Sequence, residues 1–181
     1  MAARHAGVHL TLFKYYFTDR TRLLVDVARQ LSMQLGQNVA AIETSDLPAP
    51  ERFRIRIDAM IDFYMKNPFY HRLMVEIIHE DAEPLATELI NVWMSKTLDI
   101  YDAIIEKGVE EGTLRRVDPY FTFVAIMGLC EQFLHAQRLI DRSGYESDSG
   151  KGTGTTEGSV ENYKDFIHDL LMSGIAIRPA G

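Results

Sequence analysis

Residues 6–24 read AGVHLTLFKYYFTDRTRLL, and this stretch determines how the rest of the chain is interpreted. Gly7 stands between a small and an apolar residue and can adopt positive φ, as a tight turn between two steeply crossed helices requires. Residues 9–16 then form a helix that is too short to be stable alone. Asp19 is a favourable N-cap for a further helix that begins at Arg20. The order of these elements predicts a helix-turn-helix with residues 9–16 as its recognition helix.

The same stretch resembles the DNA-binding signature of the tetracycline-repressor (TetR) family of bacterial regulators. The residues that carry the resemblance are Ala6-Gly7-Val8, Tyr16-Phe17, the basic Arg20 and Leu23-Leu24. The resemblance implies an all-α fold, in which a helix-turn-helix head is followed by a helical bundle that binds a ligand and dimerises. Residues 1–44 are then expected to form the head and its connecting helix, and residues 45–181 the ligand-binding and dimerisation domain.

The resemblance also implies a function, that of a ligand-responsive transcriptional regulator. Most relatives are repressors that bind operator double-stranded DNA as homodimers and are released by a small effector, so the same is expected here. The expected DNA contacts are His9, Leu10, Thr11 and Tyr15 to base edges, and Lys14, Tyr16 and Arg20 to phosphates. For Tyr16, packing inside the head is an equally open alternative.

The head implied by the resemblance is incomplete in this sequence. Only five residues precede Ala6, where family members have a first helix and most of a second. Either the sequence is a truncated form, or the protein is a helical ligand-binding or protein-interaction dimer without DNA binding. Steep salt dependence of duplex binding would favour the regulator, and its absence in a complete chain would favour the alternative.

Composition and charge are those of an ordinary globular protein, with 46% apolar and 25% charged residues. The net charge of −7 argues against a broad nucleic-acid-binding surface, yet residues 1–22 hold four basic residues against Asp19 alone. A basic head on an acidic body fits a protein that contacts phosphates at one end. The single Cys130 excludes an internal disulfide, and we find no signal-peptide or membrane-spanning run. We therefore expect a cytoplasmic protein that does not contact membranes.

Helical periodicity predicts helices over residues 20–43, 51–66, 69–79, 84–111, 119–142 and 160–175. In the first of them the apolar stripe consists of Leu23, Leu24, Val27, Leu31 and Leu35. Residues 143–159 are rich in glycine, serine and threonine, which predicts a flexible loop. We find no strand pattern and no repeat, so the predicted fold is all-α.

The predicted helix over residues 120–134 is apolar nearly all round and must therefore be covered on every side. A second copy of the protein is the simplest cover, and a dimer matches a two-fold operator, whereas a central helix in a monomer is the alternative. The resemblance likewise implies that the last two helices form a four-helix bundle across a two-fold axis. The expected interface residues are Gly128, Leu129, Phe133, Phe166 and Leu170.

Methionine and aromatic residues cluster in the predicted body of the protein. From composition alone, such a cluster is more often core than pocket. The resemblance instead implies an effector cavity, and hence a mainly apolar or aromatic small-molecule effector. The candidate pocket residues are Met60, Tyr64, Met74, Trp93, Thr97, Tyr101, Phe123, Met127 and Cys130, with Gln132 as a further polar contact.

The sequence contains no arrangement of residues that predicts an enzyme, a cofactor site or a metal site. Glu76 and His79 have the i, i+3 spacing of di-iron helices, but no second such pair exists, which favours a surface pair. In the glycine-rich stretch around Lys151, the lysine is followed by Gly152 rather than by the Ser or Thr of a phosphate loop, and the preceding strand of that motif is also missing. Cys130 lies in an apolar helix, where a thiol is normally inert.

Overall fold

In a computed structural model of the chain, residues 20–43, 46–79, 84–143 and 157–176 are described. They form the helices α1 (Arg20–Glu43), α2 (Ala49–Lys66), α3 (Tyr70–His79), α4 (Pro84–Glu110), α5 (Pro119–Ser143) and α6 (Glu157–Ile175). The β-type pairing within these ranges is an isolated antiparallel bridge between Leu114 and Ala176. The prediction of an all-α fold is confirmed. Of the helices described, none is both long enough and apolar enough to cross a membrane.

Local chemistry explains where several of these helices begin and end. α2 ends at Lys66 because the next residue, Asn67, precedes a proline and donates its side-chain amide to the Phe63 carbonyl oxygen at 3.0 Å. α5 begins after Asp118, whose Oδ1 accepts hydrogen bonds from the backbone N–H groups of Tyr120 and Phe121 at 2.8 and 3.2 Å. The predicted end of α2 and the predicted start of α5 are thus confirmed.

Two predicted boundaries are wrong. The break over residues 45–50 is shorter than predicted, because α2 already begins at Ala49 and Pro50 lies in its first turn. Proline is compatible with this position, where its missing N–H has no intrahelical acceptor. The predicted loop over residues 143–159 is also too long, since α5 includes Ser143 and α6 begins at Glu157.

A tight turn joins α4 to α5 and depends on two glycines. Gly112 has a φ of +69°, which allows the chain to reverse at the end of α4. The carbonyl oxygen of Gly108 accepts hydrogen bonds from the N–H groups of Thr113 and Leu114 at 2.9 and 3.0 Å. Leu114 is 1% exposed and packs directly over Gly108, so this turn is part of the core.

Helix α2 lies at the centre of the fold and packs against α1, α4, α5 and α6. Its apolar face is buried, with Phe53 and Ile57 fully inaccessible. Tyr101 of α4 and Ile126 of α5 are equally inaccessible and complete the core around it. The burial of this apolar surface is the main stabilising contribution to the fold.

The buried face of α1 differs in part from the predicted stripe. Leu24, Leu31 and Leu35 pack against the core as predicted, but Val27 is 39% exposed. Val25 and Ala28 are buried in its place. The α1 sequence offers apolar residues on two overlapping faces, and its packing against α2, α3 and α4 selects one of them.

Helix α5 has one face in the core and one face in solvent. Phe123, Ile126 and Cys130 are buried against the other helices. On the opposite face, Phe121 is 69% exposed and Val124 is 45% exposed. The helix is therefore apolar on both sides, as the sequence predicts, and its outer side is not covered within the described part of the subunit.

Candidate functional site

A cavity of about 890 Å³ lies between α1 and α4 and extends down to α2. Its apolar lining comes from the two longer helices and includes Leu35 of α1 and Leu89, Trp93 and Ile104 of α4. The volume lies in the range of pockets that bind small molecules, about 300–1,000 Å³. Met33, which is 59% exposed, lies at the solvent side of the cavity.

The most unusual residue in this cavity is Arg56, which α2 contributes. Its side chain is 3% exposed, and its Nε has no hydrogen-bond partner among the described residues. The guanidinium carbon Cζ lies 5.6 Å from the ring centroid of Tyr101, a cation–π contact. Within the described ranges, no carboxylate forms a salt bridge with Arg56.

Charged side chains surround the rest of the cavity, and basic ones predominate. Arg52 lies one helical turn before Arg56, and its Nε donates a hydrogen bond to the Leu47 carbonyl oxygen at 3.1 Å. Exposed Arg29 and Lys96 enter the lining from α1 and α4. The acidic residues in the lining are Glu88 and Asp99, which are both exposed. The cavity thus has a basic excess in a chain whose net charge is −7.

Two of the predicted pocket residues, Trp93 and Thr97, line this cavity. The others predicted are Met60, Tyr64, Met74, Tyr101, Phe123, Met127 and Cys130, and none of them is part of its lining. Most of these are core residues. The Tyr101 hydroxyl donates to the Met60 sulfur at 3.1 Å, and the Phe123 ring contacts both Trp93 and Tyr101 at centroid distances of 5.6 and 6.2 Å. Their role as ligand contacts stays a prediction.

The buried hydroxyl and thiol groups in and beside these aromatic contacts are held in their neutral forms. Burial raises the pKa of the Cys130 thiol to about 12, and it raises the pKa of the Tyr101 hydroxyl to about 12 as well. The Tyr64 hydroxyl donates to a carboxylate oxygen of Glu131 at 3.3 Å. Burial and this carboxylate raise the pKa of Tyr64 strongly. None of these groups is therefore an activated nucleophile at neutral pH.

Only a weak signal in the sequence indicates the basic residues of the cavity. Arg52 and Arg56 are four residues apart on one helix, which places them on one face, and Phe53 and Ile57 next to them are fully buried. Two arginines on one helix face, next to apolar core residues, are the signal in the sequence for a basic site. Arginine in such a pattern is more often at the surface, so Arg56 was missed.

The predicted dimer residues divide into two groups. Gly128, Phe166 and Leu170 are exposed, the two large side chains by 58% and 48% respectively. Phe133 instead stacks on Tyr163 within the subunit at a centroid distance of 3.9 Å. Leu129 is half-buried and its carbonyl oxygen accepts a hydrogen bond from the Tyr163 hydroxyl at 2.7 Å. The exposed members lie on the outer faces of α5 and α6.

Of the predicted DNA contacts, Arg20 alone belongs to the described residues. It is exposed at the first position of α1 and forms an ion pair with Glu76 of α3. The remaining ones lie outside the described residues: His9, Leu10, Thr11, Lys14, Tyr15 and Tyr16. Glu76 also belongs to the Glu76–His79 spacing considered above. In the described part of the chain, no group of three or more His, Cys, Asp or Glu side chains is placed to hold a metal ion.

A family model described as "Tetracyclin repressor-like, C-terminal domain" matches residues 46–181 of the chain. The chain belongs to the tetracycline-repressor (TetR) family. It is therefore related to transcriptional regulators, as the resemblance of residues 6–24 predicted. No curated protein matches the chain in sequence.

Solved structures of TetR-family regulators have the same fold. PfmR from Thermus thermophilus is 16% identical, with a TM-score of 0.70 over 94% of this chain and 85% of that one. The ketosteroid transcriptional regulator KstR2 of Mycobacterium tuberculosis is 14% identical, with a TM-score of 0.68 over 97% and 83%. AibR, in a complex with isovaleryl coenzyme A and operator DNA, is 13% identical, with a TM-score of 0.64 over 93% and 83%. At these identities the likeness concerns the fold.

Proposed function

We propose that this TetR-family protein is a transcriptional repressor that binds operator DNA as a homodimer and is released by a small, mainly apolar or aromatic effector. The observation that carries the proposal is the position of the cavity. Helix α1 forms one of its walls, and the first residues of α1, residues 20–24, are the end of the signature stretch 6–24. A ligand in the cavity therefore contacts the helix that continues from the DNA-binding segment.

The exposed apolar faces of α5 and α6 support the homodimer. Phe121 and Val124 on α5, and Phe166 and Leu170 on α6, are all between 45% and 69% exposed. Large exposed apolar side chains on two helices mark a surface that a partner covers. A second copy presents the same surface. When the two surfaces pair about a two-fold axis, α5 and α6 of both copies form a closed four-helix arrangement.

The proposed mechanism is a change in the separation of two recognition helices. In a dimer these helices must lie about 34–36 Å apart to enter successive major grooves on one side of the duplex. When α1 is displaced, the two recognition helices no longer have the separation that the duplex requires. A ligand that binds more tightly to this conformation shifts the dimer toward it. It needs only a difference in affinity between the two conformations to do so. AibR, which has been solved with both a small ligand and operator DNA, supports this proposal by analogy of fold.

The test is the selection of duplexes from a random-sequence library with the full chain, followed by titration of a selected duplex at several salt concentrations. We expect log K to fall with log salt by about 0.9 per phosphate contact. The Lys14→Ala variant should weaken binding to all duplexes and reduce the slope by about one contact per subunit. Arg142→Ala removes an exposed cation from the last turn of α5 and is the matched control, with no expected change.

The opposite outcome is equally clear. If the full chain binds no duplex, or binds it independently of salt, the proposal that the protein is a repressor is contradicted. The protein would then be a helical ligand-binding or protein-interaction dimer without DNA binding. An equal loss of affinity in the Lys14 and Arg142 variants would contradict the assignment of the phosphate contact.

A further inference from the structure

We propose that the cavity binds an amphipathic anion, whose carboxylate or phosphate group pairs with Arg56 while its apolar body lies between α1 and α4. The inference rests on the proposed function in one respect, namely that the cavity is the effector site. It adds the chemical class of the ligand. An apolar or aromatic body alone does not explain why the deepest polar group in the lining is a buried cation.

The first argument is the environment of Arg56. A guanidinium is always charged at physiological pH, and removing it from water is unfavourable unless an anion or hydrogen-bond acceptors replace the water. Arg56 is 3% exposed, its Nε has no partner among the described residues, and those residues give it no carboxylate. An anionic ligand would supply the missing acceptor and the missing charge.

The second argument is the way in which Arg56 is held. Its guanidinium contacts the Tyr101 ring, which is itself fully buried and packs against Phe53 and Phe123. A planar guanidinium fixed in this way is preorganised for the two parallel N–H···O bonds that a carboxylate or phosphate accepts. Because the side chain is already ordered, little rotamer entropy is lost when the ligand binds.

The third argument is the distribution of the other charges. Arg52 from α2, Arg29 from α1 and Lys96 from α4 also line the cavity, so basic groups approach it from all three helices. The two acidic residues of the lining, Glu88 and Asp99, are exposed on α4. A basic excess in a concave site attracts anions and raises their local concentration.

The rest of the lining fits an apolar ligand body. Leu35, Leu89, Val92, Trp93, Ile100 and Ile104 form the walls. A volume of about 890 Å³ leaves space for a body well beyond the anionic group. The lining has a buried cation at one point and aliphatic and aromatic walls elsewhere. It therefore complements an amphipathic anion, such as a fatty acid or an aromatic acid.

Trp93 makes this inference directly measurable, because it lines the cavity and is the single tryptophan of the chain. The experiment titrates the full protein, without DNA, with four probes that share a chain of about ten carbons, while Trp93 fluorescence is recorded. The probes are decanoate, decyl phosphate, decanol and decyltrimethylammonium. We expect the anions to bind about tenfold or more tightly than decanol, and the cation to bind most weakly. The order of the two anions distinguishes a carboxylate from a phosphate ligand.

Variants then test whether Arg56 is responsible. Arg56→Met should weaken anion binding about tenfold or more and bring decanoate and decanol to similar affinities, whereas Arg56→Lys should retain part of the preference. Arg54→Met is the matched control on the same helix, because Arg54 pairs with Asp165 of α6 and does not line the cavity. It should leave all four affinities unchanged.

Equal binding of decanoate and decanol by the unaltered protein would overturn the inference, and so would an anion preference that survives Arg56→Met. The probe series on the unaltered protein gives this answer even if a variant fails to fold. The result is also independent of the repressor proposal. Anion binding without duplex binding would contradict only the proposal that the protein is a repressor. Salt-dependent duplex binding without an anion preference would contradict only the proposal that the cavity binds an anion.

Discussion

At the scale of single residues, Arg56 shows how a binding site can oppose stability. Its charge is buried without an ion pair in the described residues, and its Nε lacks a hydrogen bond there. Replacement of buried ionic groups by apolar side chains of similar size is often stabilising. A residue that is present in spite of such a cost is explained by what it binds.

This argument predicts that Arg56→Met stabilises the ligand-free protein while it removes anion binding. We expect the free energy of unfolding to rise by about 1–2 kcal/mol, since the lost cation–π contact offsets part of the gain. Urea denaturation at a fixed protein concentration measures the effect. Arg54→Met removes partly exposed ion pairs with Asp58 and Asp165 and should lower the free energy of unfolding by about 1 kcal/mol or less. A clear loss of stability in Arg56→Met would show that Arg56 has a structural role.

At the scale of secondary structure, the sequence predicted the helices well because the signals that end them are local. Asn67-Pro68 and Asp118-Pro119 act through hydrogen bonds and backbone angles within a few residues, and both predicted boundaries are correct. The face that a helix buries is less local. Val27 was predicted to be buried and is 39% exposed, because the partners of α1, rather than its own periodicity, select between adjacent apolar faces.

The α4–α5 turn provides a prediction at this scale. A Cβ on Gly108 would lie 2.4 Å from Cδ1 and 2.5 Å from Cγ of Leu114. Leu114 has little freedom to move, because its N–H is bonded to the Gly108 carbonyl oxygen and its side chain is buried. Gly108→Ala should therefore destabilise the protein by about 1–3 kcal/mol, in spite of the higher helix propensity of alanine.

Thermal unfolding of Gly108→Ala beside Gly174→Ala tests this contact. Gly174 is also helical, and a Cβ added there meets no atom within 4 Å. Its replacement should leave stability unchanged or raise it by up to about 1 kcal/mol, because alanine has the higher helix propensity. Equal midpoints for the two variants would mean that the turn adapts without cost.

At the scale of the whole molecule, the candidate cavity could not be located from the sequence. Its walls come from α1 and α4, and its volume depends on the distance between helices that are far apart in the chain. The methionine and aromatic residues chosen from composition mostly form core instead, as Met60 and Tyr101 do through a direct contact. Trp93 lines the cavity and also contacts Phe123 of the core, and its role as a ligand contact stays a prediction.

The assembly of two subunits is the remaining prediction at this scale. Phe166→Glu places a charge on the exposed α6 face and should convert the dimer to monomers, because burying an unpaired carboxylate at an interface is unfavourable. Sedimentation velocity at several protein concentrations measures the change. Ile78→Glu replaces an equally apolar residue of α3 that is 53% exposed and lies outside the α5–α6 face, so it should leave the dimer intact. A dimer that tolerates Phe166→Glu would exclude this face as the interface.

Different helices supply the buried cation and the exposed mouth of the cavity, so ligand selectivity can change at the mouth without a change at the cation. The buried cation comes from α2, at the centre of the core, whereas Met33 and Val92 belong to the outer helices and are 59% and 48% exposed. Substitutions at exposed positions of this kind cost little stability. Related proteins could therefore accept longer, shorter or branched molecules through changes at the mouth alone, while the anchoring group is inherited unchanged. In an engineered biosensor, Met33 and Val92 would be the first positions to randomise.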